Sequence, residues 1–279
     1  MNPQKQTILL TGAAGRVGKL LAPHLRQQFA LRLCDIAPVA GEDGDEILQG
    51  DLADMDFARR AAADTAGVVH LAGLVASGVS FEDTLDANYR AVLALLESCR
   101  QEKVQRFVFA SSHHTIGLHP SEGVLDEFAP LAPDSFYGLS KAFGEAACAL
   151  YAHRFGIRTL VIRIGNADPE VVDARRERLW ISGRDLAALV SIGLTAESLR
   201  YEIVYGVSNC PNALFRDDAA ARLGYQPRDF ASEHRAATFR DAQALGPSDG
   251  AGTVGGFFAV DPLPPALDRR RVTGEEPER

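Results

Sequence analysis

Tyr137-Gly138-Leu139-Ser140-Lys141 sets a phenol and an ammonium four residues apart, and on a helix that spacing puts both on one face. An ammonium beside a phenol favours the phenolate and lowers its pKa toward neutrality. Such a tyrosine can take the proton of a substrate hydroxyl. Ser112 closes the upstream run Phe109-Ala110-Ser111-Ser112 and can hold the same oxygen by a hydrogen bond. A tyrosine and lysine at this interval also occur as an ordinary surface pair, so the assignment depends on what else the chain supplies.

It supplies a dinucleotide turn. Gly12-Ala13-Ala14-Gly15-Arg16-Val17-Gly18 follows a short apolar run, Thr7 to Thr11, and opens an apolar-periodic segment. Gly12 permits the tight turn, Gly15 lets a pyrophosphate approach the backbone, and Gly18 lets a helix pack close to a sheet. The helix N-terminus then offers free N–H groups and a positive dipole end to phosphates, and Arg16 and Val17 of the turn join the cofactor set. Asp35 lies about 20 residues on, at the end of a second apolar run, where a carboxylate can hold ribose hydroxyls. It would repel a 2′-phosphate, so NAD is favoured over NADP, although Arg16 could partly compensate such a charge. Gly50-Asp51-Leu52 and His70-Leu71-Ala72-Gly73 end two further runs and fit the same crevice. With NAD present, the tyrosine can act while hydride leaves for the nicotinamide.

The elements that must position these groups alternate strand and helix. Strands are expected at Thr7–Thr11, Ala30–Ile36, Asp45–Gln49, Gly67–Ala72, Arg106–Ser111 and Arg158–Ile164. Helices are expected at Lys19–Gln28, Met55–Ala63, Leu85–Arg100 and Tyr137–Phe155. That alternation requires parallel crossovers, hence an α/β Rossmann fold with a doubly wound parallel sheet. The expected division is a NAD-binding domain over residues 1–165 and a small C-terminal substrate lobe with an irregular tail over 166–279. In the lobe, 185–194 and 217–223 read as helices and 201–207 as a strand; Phe257 and Phe258 should pack the tail down.

Composition narrows the function classes. The chain has 279 residues, 46% hydrophobic and 24% charged, with a formal net charge of −8. Without a basic patch it is a poor partner for nucleic acid, and no apolar stretch reaches membrane-spanning length. Arg269, Arg270 and Arg271 sit in a tail of Pro, Gly and Glu and read as solvated. Cys34, Cys99, Cys148 and Cys210 have no metal-ligand spacing and read as buried thiols, so no metal is expected and a cytoplasmic setting follows.

Together, TGAAGRVG, the HLAG strand end, VFASS, YGLSK and the helix carrying Asn88 resemble the extended short-chain dehydrogenase/reductase superfamily. Within it, Val108–Gly117, Tyr137–Lys141, Val161–Gly165, the stretch from Asp168 through Arg175 to Trp180, and Gly255–Phe258 resemble the uronate dehydrogenases. The resemblance implies oxidation of the C1 hemiacetal hydroxyl of a hexuronate, such as glucuronate or galacturonate, to an aldarolactone. It implies Tyr137 as base, Lys141 as its partner, Ser112 as hydroxyl anchor and Arg175 as clamp for the sugar carboxylate. Asn88 joins the cofactor set, as do Tyr137 and Lys141 themselves. Ser77 (or Val75), His113, His114 and Asn166 join the substrate set, and a homo-oligomer is expected. The chain departs from the family pattern at His113, where asparagine is usual, and at Asn166, where serine is usual. Two other readings remain: a sugar-nucleotide epimerase or dehydratase of the superfamily, or a non-catalytic dinucleotide sensor.

Overall fold

Thr7–Thr11 forms β1, and its alternation decides both faces of the molecule. Ile8 and Leu10 point into one apolar cluster and Leu9 into the other. The computed structural model describes residues 5–266. From β1 the chain runs through α1 (Arg16–Leu25), β2 (Ala30–Asp35), β3 (Glu46–Gln49), α2 (Met55–Ala62) and β4 (Gly67–His70). It continues as α3 (Phe81–Thr84), a π-helical stretch Leu85–Arg90, α4 (Ala91–Gln101), β5 (Arg106–Ser112) and a 3₁₀ turn His113–Ile116. Then come α5 (Phe136–Phe155), β6 (Arg158–Ile164), β7 (Asn166–Ala167), β8 (Val171–Asp173), α6 (Ala174–Glu177) and β9 (Trp180–Ile181). The remainder holds α7 (Gly183–Thr195), β10 (Tyr201–Gly206), α8 (Asp218–Arg222), β11 (Arg235–Arg240) and α9 (Phe257–Val260).

The main sheet has seven strands in the order β10-β6-β5-β4-β1-β2-β3, and every pairing is parallel. One face is covered by Leu21 and Leu25 of α1 and Leu186 and Leu189 of α7. The other is covered by Phe57 of α2, Leu95 of α4 and Cys148 of α5. This is the Rossmann arrangement, and the winding direction reverses between β1 and β4. A ligand crevice opens there, beyond the carboxyl ends of the strands.

The strand expected over 201–207 joins this main sheet beside β6, pairing Tyr201 with Thr159 through Gly206 with Ile164. α1 begins at Arg16 rather than Lys19, so Gly18 lies inside its first turn. β4 stops at His70, and β5 runs one residue further than expected, to Ser112. The continuous helix expected over 85–100 is interrupted: Leu85–Arg90 is wound as a π-helix. Such local widening often accompanies a functional site, and here Asn88 within it reaches inward to hydrogen-bond the loop after β4.

Two small parallel pairs, β7 with β9 and β8 with β11, carry the chain over the end of the crevice. Beneath them Ile116, Leu179, Tyr205, Phe215 and Val254 make a separate apolar cluster. The late segment is held to this cluster by Val254, which is fully buried. Cys34, Cys99 and Cys148 are buried and Cys210 is half-buried; all four are free thiols. No helix among the described residues is long and apolar enough to cross a membrane. The Arg269–Arg271 run lies outside the described residues.

Candidate active site

The glycine turn is built as a nucleotide cradle. Gly12 has φ +71°, and a Cβ there would sit 2.7 Å from the Ala72 nitrogen. At Gly18 a Cβ would meet the Gly12 carbonyl oxygen at 2.5 Å, so helix and turn are in direct backbone contact. Gly15 caps α1 without any side-chain hydrogen bond, which leaves the N–H groups of the first turn free to meet an anion. Asp35 stands beside this turn: Oδ2 accepts from the Ala14 N–H at 2.9 Å and Oδ1 from the Ala37 N–H at 3.0 Å. The Gly50 N–H donates to the Asp35 carbonyl at 3.0 Å, placing Asp51 next to it, while Leu52 packs into the core. These features fit an adenosine diphosphate held along the ends of β1, β2 and β3.

Arg16 does not stay free over the turn. Its guanidinium pairs with Asp168 at 2.9 Å, across the crevice from the later part of the chain. His70 is sealed in the sheet, with Nδ1 2.8 Å from the Thr11 hydroxyl, and burial pushes its pKa down to about 3. It is a structural histidine. Asn88 does not line the crevice. It takes the Leu74 N–H on Oδ1 at 2.7 Å and donates to the Leu74 carbonyl (3.0 Å) and the Ser140 hydroxyl (2.7 Å). It thereby ties the loop after Gly73 to α5.

A cavity of about 510 Å³ extends from that turn and brings Ser112, Tyr137 and Lys141 together with His113, His114 and Asn166. Ser135 caps α5 by accepting from the Gly138 N–H at 3.0 Å, which fixes where the Tyr137–Lys141 face begins. Ser112 is hydrogen-bonded to the Tyr137 phenol and also accepts the His114 N–H at 3.2 Å. Lys141 Nζ lies 5.8 Å from the Tyr137 ring centre and 5.0 Å from that of Phe109.

The proton affinities differ from the simple expectation. Burial pushes the Tyr137 phenol up to about 12, with the Ser112 hydrogen bond opposing it. Burial also pulls the Lys141 ammonium down to about 8. In both groups desolvation is the largest influence. At neutral pH the pair therefore rests as neutral phenol and ammonium.

On the substrate side, Arg175 of α6 lines the cavity, and it differs from the neighbouring arginines in its partners. Arg176 also faces the cavity but is ion-paired to Asp173. Arg178 turns away to the carbonyls of Asn212 (2.7 Å) and Ser121 (3.0 Å). Arg175 donates to the carbonyls of Thr253 (3.4 Å) and Val254 and has no ion pair among the described residues. Burial, then repulsion from Arg176, lowers its pKa to about 10. Asn166 Nδ2 is buried without a hydrogen-bond partner. After Gly73 it is Val75, and not Ser77, that lines the cavity.

Asp134 carries no sequence signal, and Phe258 does more than pack the tail down. Asp134 accepts from His114 Nδ1 at 2.7 Å and from the Ser135 hydroxyl at 2.8 Å. Phe258 stacks on the His114 ring at 4.1 Å, with Gly255 also on the cavity wall. Phe257, its neighbour at the cavity edge, is half exposed. Among the described residues no group of three or more His, Cys, Asp or Glu could hold a metal ion.

A dinucleotide turn joined by one cavity to a serine, tyrosine and lysine defines a class. The chain belongs to the NAD dependent epimerase/dehydratase family, which it matches over residues 8–168. It is 38% identical over 258 residues to the uronate dehydrogenase of Pseudomonas putida, covering 91% of this chain and 95% of that one. Its fold superposes on the glucuronic acid dehydrogenase from Chromohalobacter salexigens with a TM-score of 0.85 at 36% identity, over 93% of this chain and 98% of the other. A mutant uronate dehydrogenase from Agrobacterium tumefaciens, complexed with NAD, gives a TM-score of 0.85 at 32% identity, over 92% and 98% of the two chains.

Proposed function

We propose that this chain is an NAD-dependent dehydrogenase that oxidises the C1 hemiacetal hydroxyl of a hexuronate, such as glucuronate or galacturonate, to the aldarolactone. The observation that carries the reading is Arg175. A half-buried guanidinium with no ion pair among the described residues, on the wall of a cavity that also holds Tyr137, suits an anionic group of the substrate. A planar fork matches a carboxylate in two parallel hydrogen bonds. The uronate dehydrogenases among the relatives support the same substrate class.

In this reading Gly12, Gly15, Gly18 and the N–H groups of Arg16 and Val17 receive the pyrophosphate, and Asp35 the adenosine ribose. Asp51 and Leu52 flank the adenine side, and Leu71, Ala72 and Gly73 border the cofactor from β4. NAD, when bound, accepts the hydride released from C1. Ser112 orients the C1 hydroxyl, and Tyr137 takes its proton. Lys141, still an ammonium at neutral pH, stabilises the phenolate that the reaction needs. The orphan Asn166 amide donates to a sugar hydroxyl, with His113 and His114 beside it. Val75 lines the cavity after Gly73 and Ser77 is not among its lining residues, so Val75 takes that place in this reading. We retain residues 1–165 as the dinucleotide-binding part and 166–279 as the source of the substrate wall, although β10 adds to the main sheet. A cytoplasmic setting is part of the same proposal, supported by the four free thiols, and a homo-oligomer is carried with it from the family resemblance alone.

Mixing the protein with NAD and a panel of uronates, neutral aldoses and nucleotide-sugars tests the reading through NADH absorbance. Turnover of nucleotide-sugars alone would overturn it in favour of an epimerase-type enzyme. NAD binding with no turnover would point instead to a sensor.

Arg175→Lys keeps the charge and loses the fork. KM for a uronate should rise roughly ten- to hundredfold, the loss of a charge-assisted hydrogen bond of about 1.5–3 kcal/mol. Activity on a neutral aldose should be untouched; a parallel loss there would make Arg175 merely structural. Asp35→Ser removes the carboxylate that would repel a 2′-phosphate. The preference for NAD over NADP should narrow by about tenfold or more, read as the ratio of kcat/KM for the two cofactors. An unchanged ratio would place discrimination elsewhere.

A further inference from the structure

The strongest unassigned group in the site is the carboxylate of Asp134. We infer that Asp134 is a positioning residue that fixes the His114 ring in one tautomer, Nδ1–H toward the protein, so that Nε2 faces the cavity as a hydrogen-bond acceptor. The inference rests on the dehydrogenase reading above for its substrate and on geometry alone for the ring. Asp134 Oδ2 lies 2.7 Å from His114 Nδ1. A carboxylate can only accept, so the proton between them belongs to the imidazole. His114 is buried and neutral, its pKa lowered to about 3 by burial and then by Arg175. The remaining ring nitrogen is therefore a bare lone pair, and it has no hydrogen-bond partner among the described residues. A substrate hydroxyl can donate to it.

The placement of the carboxylate is enforced from three sides. A Cβ at Gly117 or at Gly255 would run into Asp134 Oδ2, and one at Gly138 would lie 3.2 Å from Oδ1. Ser135 holds Oδ1 by a hydrogen bond at 2.8 Å. The ring itself is clamped between His113 and Phe258, each with centroids 4.1 Å away, and meets the edge of Tyr137 at 5.7 Å. His114 can neither flip nor slide, so its tautomer decides what it offers the sugar. The charged and titratable groups around Asp134 are His114 and His113 after β5, Arg175 of α6 and Tyr137 of α5. Burial raises Asp134 to about 6, with Ser135, His113 and Arg175 opposing. Below that pH the carboxyl carries its own proton and can donate to Nδ1. The ring then has to present Nε2–H to the cavity, and the acceptor is lost.

Nitrogen-15 NMR of the imidazole in the full-length protein tests this without substrate. At neutral pH the His114 ring should be protonated on Nδ1 and bare on Nε2; the opposite tautomer overturns the proposal. In Asp134→Asn the preference should weaken, and kcat/KM for a uronate should fall roughly tenfold or more at pH 7.5, mostly through KM. The acid limb near pH 6 in the wild-type profile should disappear in this variant. Wild-type kinetics and an unchanged tautomer in Asp134→Asn would also overturn the proposal. If the variant fails to fold, the wild-type tautomer still decides. Should the wild type turn over no uronate, the substrate reading fails while the tautomer measurement stands on its own.

Discussion

Tyr137→Phe is expected to lower turnover by roughly 10²–10⁴-fold, the usual contribution of a positioned proton-transfer group, while leaving NAD affinity nearly intact. The phenol is buried, hydrogen-bonded to Ser112 and held on the α5 face that the Ser135 cap registers. Phenylalanine keeps the ring and therefore its edge contacts with His114 and Phe258, at 5.7 and 6.2 Å. Only the oxygen is lost. The proposed grip on the dinucleotide lies elsewhere, in the backbone of the Gly12–Gly18 turn and in Asp35, so its affinity should not follow. Steady-state rates with a uronate and a direct titration with NAD separate the two quantities. Equal losses in both would make the tyrosine a structural residue and remove the chemical core of the proposal.

The largest effect on stability should come from beneath the site. Glu145 of α5 and Arg163 of β6 are each about 4% exposed and form a two-pronged ion pair, with both nitrogen–oxygen distances at 2.9 Å. The Ser111 hydroxyl adds a third bond to Glu145 at 2.6 Å, so the pair also braces the strand end that carries Ser112. Removing one partner strands a buried charge. Glu145→Ala should cost about 3–5 kcal/mol, and Tm should drop by about 2–4 °C per kcal/mol for a chain of this size. Urea melts of the single variant and of Glu145→Ala with Arg163→Met provide the check. The double variant should recover part of the loss, because no isolated charge remains. A single variant as stable as the wild type would show that the pair is not holding α5 to the sheet.

What could be read from the sequence follows the range of the contacts involved. The glycine turn, Asp35, Ser112 and the Tyr137–Lys141 spacing are local signals, each written within a few residues of a strand end or helix start; Ser112, Tyr137 and Lys141 line one cavity with Arg16 and Val17 of the turn, and Asp35 stands beside that turn. β10 was recognisable as a strand by its apolar run, but its place beside β6 was not, because parallel partners leave no mark on each other in sequence. The π-helical stretch at Leu85–Arg90 escaped because its cause lies in three dimensions: Asn88 bonds a loop 14 residues away and Ser140 on another helix. Asp134 was silent for the same reason. Its partners, residues 114, 117 and 255, meet only after the sheet and the late segment have closed. Among Arg175, Arg176 and Arg178, type and spacing are alike, and only the positions of Asp173 and of nearby carbonyls distinguish them. The proton affinity of Tyr137 is beyond a helix-face argument, which accounts for the lysine's charge but not for the burial of both groups.

The strap formed by Val254, Gly255 and Phe258 bears on how the protein is made. During synthesis the dinucleotide turn, Ser112 and the Tyr137 helix emerge early and can fold as a unit. Arg175 must wait for the carbonyls of Thr253 and Val254, and His114 for the ring of Phe258. A nascent chain halted short of that point could already grip its nucleotide while lacking one wall of the sugar pocket. Competence for chemistry would thus arrive only once residue 258 is in place, more than a hundred residues after the Tyr137 helix has begun.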